Sequence, residues 1–196
     1  MNSSNEATHE VPTIMANHFK NKHMALKSKL LLFGIMLTLL GTNPLAAQQI
    51  NGAKDYDLKA DFLIRFSDYV YWKNRSKNQP FKIAILEQSP INASLLSDQN
   101  NKKIEVKQYK NLKEVGFCNI LFVPYDCSIP IETIISNFSG KPVLIVTERN
   151  GYGKKGAHMN FVMVENKLKF EVNLKAINKV GIGISSFLLQ HAIIVE

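Results

Sequence analysis

Pro142-Val-Leu-Ile-Val-Thr147 runs into a glycine-rich segment, Asn150-Gly-Tyr-Gly-Lys-Lys-Gly156, and then into two alternating segments, His158 to Glu165 and Leu168 to Leu174. A short, continuous apolar run bounded by turn residues marks a strand buried on both faces. The alternating segments predict a hairpin, with Met159 to Val164 pairing with Lys169 to Asn173 across Asn166-Lys167. After them, Leu174 to about Ile193 reads as one long closing helix, with Ile177, Val180, Ile184 and Leu188 on one face. Gly181 and Gly183 inside such a helix each cost up to about 1 kcal/mol relative to alanine, which predicts the close approach of another element there. The block holds no compact set of nucleophile, base and metal ligands.

The same reading extends upstream. Asp55 to Trp72 reads as the first helix, with Leu58, Phe62, Phe66 and Val70 recurring at steps of four. Lys73 to Gln79 is a polar loop before Pro80. Phe81-Lys-Ile-Ala-Ile-Leu86 is a buried strand, and Ser89-Pro90 opens a short helix with Ile91, Leu95 and Leu96 facing inward. Lys103 to Tyr109 alternates charged and apolar residues, as a strand with one wet face does. Asn111 to Val115 is a helical turn, and Asn119 to Val123 a buried strand stopped by Pro124. Ile129 to Phe138 is a helix with Pro130 in its first turn, where the missing N–H is harmless; Gly140 ends it. Strands alternating with helices predict a single α/β domain. Its mostly parallel central sheet carries helices on both faces, with the C-terminal hairpin and a long helix closing the chain.

The first 47 residues read as lying outside that domain. Lys20, Lys22, Lys27 and Lys29 precede the apolar run Leu30 to Leu40, and Gly41, Pro44, Ala46 and Ala47 follow it. A basic region, a short apolar run and a small-residue exit form a secretory signal peptide. The run is short for a membrane span, which needs about 20 residues. Cleavage is expected after Ala47; residues 1–23 are polar, so Met15 and Met24 are alternative starts. Removing residues 1–47 from the 196 leaves 149, enough for one domain with its own core. Four lysines and two glutamates leave with them, taking the net charge from +8 to +6. A moderate basic charge suits either contact with anionic envelope polymers or plain solubility. Nucleic acid is not an expected partner, since no clustered basic-aromatic motif is present.

Two cysteines, Cys118 and Cys127, lie in the domain. An oxidising compartment favours a disulfide, which over so short a loop contributes roughly 2–3 kcal/mol; two free thiols are the alternative. No metal site is expected. His158 and His191 are the only histidines after residue 47, and no pair of residues has ligand spacing.

Four landmarks stand in order. They are Phe62-Leu-Ile-Arg-Phe-Ser-Asp-Tyr-Val-Tyr-Trp72, Phe81-Lys-Ile-Ala-Ile-Leu86, Cys118-Asn-Ile-Leu-Phe-Val123, and a closing block with Gly151-Tyr, Met159-Asn-Phe, Lys169-Phe-Glu-Val-Asn173 and Ile184-Ser-Ser-Phe-Leu-Leu189. Together with the signal peptide, this combination resembles the YfiR/HmsC-like family of exported bacterial proteins over roughly Asp55 to Val195. The resemblance implies a periplasmic α/β domain, often dimeric, without catalytic activity or cofactor. It implies a partner too: the periplasmic region of an inner-membrane receptor, a diguanylate cyclase or a sensor kinase. In the best understood members, the bound cyclase is held inactive until envelope or redox stress relieves the block, and cyclic di-GMP and biofilm matrix then rise. The resemblance also implies a disulfide, because Cys118 stands where a family cysteine precedes the Ile-Leu-Phe strand, and it makes Cys127 the partner. A second disulfide found in some members cannot form with two cysteines.

The candidate contact residues follow from position and type. Lys169, Glu171 and Asn173 share one face of a strand; some relatives use this strand for ligand or partner contact, often with Arg in place of Lys169. The alternative is a solvated hairpin edge. Gly151 to Gly156 offers backbone N–H groups with Lys154 and Lys155, as an anion cradle does; it is no Walker loop, since Ala157 and His158 follow Gly156. A plain connection is the alternative. His158 and Asn160 fall on one side of the next strand, where a lone histidine is more often structural. Ser185-Ser186 lacks the G-x-S-x-G setting of a hydrolase nucleophile. Tyr69, Tyr71 and Trp72, beside Arg65 and Lys73, are either interface anchors or caps on the core. The leading expectation is an exported regulatory binding protein; its rival is a binding module for a nucleotide or aromatic ligand, feeding a sensor kinase.

Overall fold

A computed structural model of the chain describes residues 44–73, 75–76, 78–97 and 104–196, with side chains from Asp55 onward. Helix α1 (Pro44–Tyr69) leads directly into strand β1 (Val70–Trp72). Then come β2 (Phe81–Leu86), α2 (Ile91–Ser97), β3 (Ile104–Tyr109), a 3₁₀ turn at Leu112–Glu114, β4 (Ile120–Val123), α3 (Ile131–Asn137) and β5 (Leu144–Thr147). The chain closes with β6 (Met159–Val164), β7 (Lys167–Asn173), α4 (Leu174–Lys179), β8 (Ile182–Ile184), α5 (Ser186–Gln190) and β9 (Ile193–Val195). The signal peptide expected from the sequence falls on residues outside those described, apart from Pro44–Ala47, which form the start of α1. Among the described residues, no helix is long and apolar enough to cross a membrane.

Seven strands make the main sheet, in the order β3-β2-β4-β5-β6-β7-β9. Every neighbouring pair runs parallel except β6 and β7. The predicted α/β class is therefore observed. Side chains alternate across each strand, so each apolar run feeds two cores. Ile83 and Ile85 of β2, Ile120 and Phe122 of β4, and Leu144 and Val146 of β5 point to the layer containing α1. Ala84, Leu86, Leu121, Val123 and Ile145 point to the layer containing Ile131, Ile134 and Phe138 of α3. Burial on both sides explains why these strands carry almost no polar residues.

Helix α1 seals the first layer with aromatic rings. Phe62 lies 5.7 Å from Phe170 and Phe66 lies 6.3 Å from Phe161, centroid to centroid. Its buried face is Ala60, Leu63 and Phe66, whereas Leu58 is 44% exposed. Steps of four residues advance 40° per repeat at 3.6 residues per turn, so the expected stripe from Leu58 to Val70 drifts around the helix. The expected inward Leu96 is likewise exposed, because α2 buries Ile91 and Leu95.

Two corrections reshape the C-terminal block. The hairpin turns at Glu165-Asn166, one residue earlier than expected; both have positive φ (50° and 58°), the geometry of a two-residue type I′ turn. The long closing helix does not exist. Helix α4 stops at Lys179, and Gly181 takes φ 68°, which a helix cannot continue through. Ile182-Gly-Ile184 then pairs antiparallel with β1, Val70 opposite Ile184 and Trp72 opposite Ile182. Aromatic and β-branched residues suit this ladder, so the expected helix end at Trp72 becomes a strand as well. Ser185 caps α5 by accepting from Leu188 N–H at 3.2 Å, and β9 adds a strand beside β7. The close approach expected at the two glycines is not found: a Cβ at Gly183 would make an ordinary contact with Tyr71 Cβ at 3.6 Å, and one at Gly181 would meet nothing within 4 Å.

The broken helix has a direct test. A continuous helix would gain from alanine at either glycine. The observed fold predicts that Gly181→Ala lowers stability by about 1 kcal/mol, through its positive φ, while Gly183→Ala is tolerated within about 0.5 kcal/mol. Urea denaturation of both variants distinguishes the two.

Candidate functional site

In open α/β sheets, ligands occupy the crevice beyond the carboxyl ends of the strands where the strand order reverses. Here the order reverses around β2, which lies between β3 and β4. The chain's own loop after β4 closes this crevice. Glu87, just after β2, accepts from Ser128 N–H at 3.0 Å and from the Ser128 hydroxyl. Glu148, just after β5, accepts from Tyr125 N–H at 3.0 Å. The loop is thus held by a carboxylate on each side. Glu148 also takes Lys59 Nζ at 2.6 Å and Tyr56 OH at 3.3 Å, tying α1 to the sheet end. Burial, and then the negative charge of Glu148, push the Tyr56 hydroxyl up to about 12. The sequence reading singled out neither glutamate, since each stands alone after an apolar run.

The glycine loop is also occupied with itself. Tyr152 N–H donates to Arg149 O, Lys155 N–H to Gly151 and Tyr152 O, Gly156 N–H to Gly153 O, and Ala157 N–H to Tyr152 O, all within 3.2 Å. Those N–H groups are spent on turns and do not face an anion. Asn173 Nδ2 donates to Gly153 O at 3.0 Å, while its Oδ1 accepts from Ala176 N–H at 2.8 Å and caps α4. Gly153 lies against Glu171, so close that a Cβ there would stand 2.6 Å from Glu171 Oε2. Lys154 is exposed, and Lys155 approaches Glu132 at 3.7 Å and the Tyr152 ring at 5.4 Å. The loop's backbone is thus largely engaged in its own turns, while Lys154, Lys155 and Gly156 line a concavity shared with Lys175 and Lys179.

Beneath that loop, polar residues join three strands. Thr147 Oγ1 donates to Asn160 Oδ1 at 2.7 Å, and Asn160 Nδ2 donates to Glu171 at 2.8 Å. Lys169 is exposed further along the same face of β7. His158 is only 3% exposed, and its Nδ1 accepts from Ile145 N–H at 3.0 Å. Burial pushes its pKa down to about 4, against a smaller opposing effect of its hydrogen bond to the Val143 backbone. His158 is thus a neutral structural acceptor. Asn160 and Asn173 likewise serve the scaffold, so this group does not converge on a reacting atom.

The aromatic end of α1 behaves differently. Arg65 is exposed and pairs with Asp61 at 2.8 Å, an interaction that raises the pKa of its guanidinium. Tyr69 stacks on Phe187 at 5.2 Å, and Phe187 lies 4.9 Å from His191. The alternation of β1 sends Tyr71 outward, 58% exposed, while Phe187 is 54% exposed. Trp72 points inward at 9% exposure, edge-on to Phe81 at 5.3 Å. Strand pairing thus turns Trp72 toward the core, the capping position rather than a surface one. Tyr71 was noticed in the sequence; Phe187 was missed, because a continuous helix gave it no distinctive side.

The cysteines correct the disulfide expectation. Both are buried free thiols. Cys118 precedes β4, and Cys127 follows it at a turn in which its N–H donates to Pro124 O at 3.2 Å. Burial pushes the Cys118 thiol up to about 12 and raises that of Cys127 as well. Among the described residues, no group of three or more His, Cys, Asp or Glu could hold a metal ion.

A family model described as YfiR/HmsC-like matches residues 56–193. The chain belongs to this family. A search of curated proteins finds no match.

Two outcomes follow from this geometry. His158 has a folded-state pKa below its unfolded value, so its contribution is present above about pH 6.5 and is lost as pH falls toward about 4. The loss approaches about 3 kcal/mol at most. Melting curves of His158→Gln against the native chain are expected to show a flatter acid slope in that window. For the cysteines, a thiol reagent is expected to leave both unlabelled in the native protein and to label both in urea, with no mobility change on non-reducing gels.

Proposed function

We propose that this member of the YfiR/HmsC-like family is an exported, non-catalytic regulator that binds the periplasmic region of an inner-membrane diguanylate cyclase and holds it inactive. Residues 1–47 serve as its export signal and are removed at Ala47. It acts by differential affinity: binding the inactive state of the cyclase more tightly than the active one shifts the equilibrium toward inactivity. Release raises cyclic di-GMP and biofilm matrix. Association as a homodimer belongs to the same reading, as does a sensor kinase in place of the cyclase.

The exposed aromatic patch carries this reading. Half-buried Tyr69 stacks on exposed Phe187, exposed Tyr71 stands opposite Gly183 on the β1–β8 ladder, and the Arg65 guanidinium lies one helical turn before Tyr69. Aromatic residues and arginine are the types that dominate protein–protein contact energy. A redox trigger through a Cys118–Cys127 bridge has no support, since both are free, buried thiols.

Affinity capture from envelope extracts tests the proposal, with the tagged protein as bait and mass spectrometry as the readout. A membrane protein carrying a cytoplasmic cyclase or kinase domain is expected among the captured partners. Tyr71→Ser combined with Phe187→Ser is expected to weaken its capture at least about tenfold, without changing the melting temperature by more than a few degrees. Equal capture by the variant, or capture that contains no such membrane protein, rejects the reading.

A further inference from the structure

A pocket of about 240 Å³ opens at the amino ends of β2, β4 and β5, at the opposite end of the sheet from the closed crevice. Two of its lining groups are buried donors without a partner among the described residues: Trp72 Nε1 and Arg75 Nε. Buried polar groups are almost always hydrogen-bonded, and leaving one unmade costs about 1–3 kcal/mol. Two such donors in one pocket form a concentrated exception.

Both donors are held in place. Arg75 N–H donates to Trp72 O at 3.1 Å, fixing the turn between them. The Phe81 ring takes Trp72 edge-on at 5.3 Å and lies 5.0 Å from Arg75 Cζ, which sits over its face. Asn119 lines the pocket too, but its Oδ1 already accepts from Lys82 N–H at 2.9 Å. What its side chain has left to offer is the amide donor. Lys73 adds a second positive charge, and none of the lining residues is acidic. The rest of the wall is mostly apolar, with half-buried Pro80 and Val180 and exposed Phe117 and Pro142, and the exposed Gln79 as its one neutral polar side chain besides Asn119. Indole and guanidinium nitrogens offer no acceptor, so a ligand that engages them must bring acceptors of its own. The apolar wall asks that the same ligand carry a hydrocarbon or aromatic body.

We propose that this pocket binds a small organic carboxylate with an aromatic or branched apolar body, its oxygens taken by Trp72 Nε1 and the Arg75 guanidinium. Arginine suits the task, because its planar fork matches a carboxylate. This site shares no residue with the aromatic patch assigned to the protein partner, so the two readings can fail separately.

Trp72 is the only tryptophan in the chain, so its fluorescence reports on the pocket directly. The full chain is titrated with phenylacetate and benzoate, and in parallel with phenylacetamide and benzamide, their neutral counterparts. The acids are expected to change the emission saturably, at concentrations in the micromolar-to-millimolar range. The amides are expected to bind at least about tenfold more weakly. Arg75→Ala is expected to weaken acid binding about tenfold or more. Trp72→Phe, followed by calorimetry because it removes the fluorophore, is expected to weaken it severalfold. Arg75→Lys, which keeps the charge and loses the fork, is expected to recover only part of the loss and guards against misfolding of the alanine variant. The proposal is overturned by an emission that neither acid changes, by amides that bind as tightly as acids, or by unchanged affinity in both Arg75 variants.

Discussion

The arrangement rests on one buried carboxylate. Glu148 stands at the end of β5 and accepts from Lys59 and Tyr56 of α1 and from the backbone of Tyr125 beyond β4. It joins three elements that lie far apart in sequence. A buried charge is tolerable only when its partners are complete, so the position of α1, the shape of the loop after β4 and the end of β5 are fixed together. Glu87 repeats the device on the other flank of that loop through Ser128. The crevice that doubly wound sheets use for ligands is filled by this construction, and contact with other molecules is left to other parts of the surface.

Most of the sheet was legible because burial on both faces leaves a plain mark. Phe81 to Leu86, Asn119 to Val123 and Pro142 to Thr147 are short apolar runs with few alternatives, and each is a strand. The closing block was legible only in part. Ile177, Val180, Ile184 and Leu188 keep helical spacing although Val180-Gly-Ile-Gly-Ile184 contains a left-handed glycine and a strand. Periodicity over so short a span cannot separate one long helix from two short ones with a strand between them. The partner that decides the matter, β1, lies more than a hundred residues earlier in sequence. Local pattern carries no trace of such a pairing.

The candidate site shows the same division. His158, Asn160 and Asn173 stood out as polar residues in apolar surroundings, and they are indeed buried. Their partners, however, are Ile145 N–H, Thr147, Glu171 and Gly153 O. A polar residue amid apolar neighbours signals burial with hydrogen bonds; whether those bonds serve the fold or a ligand depends on groups that sequence does not place. The cysteines repeat the point in reverse. Their nearness in sequence suggests a bridge, and both are free, buried thiols.

Strand β1 is where these threads meet. With only three residues, its alternation sends Tyr71 out to solvent and Trp72 into the sheet end. Pairing with β8 brings Gly181 and Val180 to the rim of the pocket under Trp72, and brings Gly183 beneath Tyr71. A glycine at 183 leaves the Tyr71 ring free to lie across the ladder, and a glycine at 181 lets the chain leave α4 in time to make it. The outer Tyr71 and the inner Trp72, with its unpartnered donor, are therefore consecutive residues of one strand. Anything that shifts the β1–β8 register by one residue exchanges the two faces. Gly181, costly to a helix, is what lets the chain leave α4 in time to make that register.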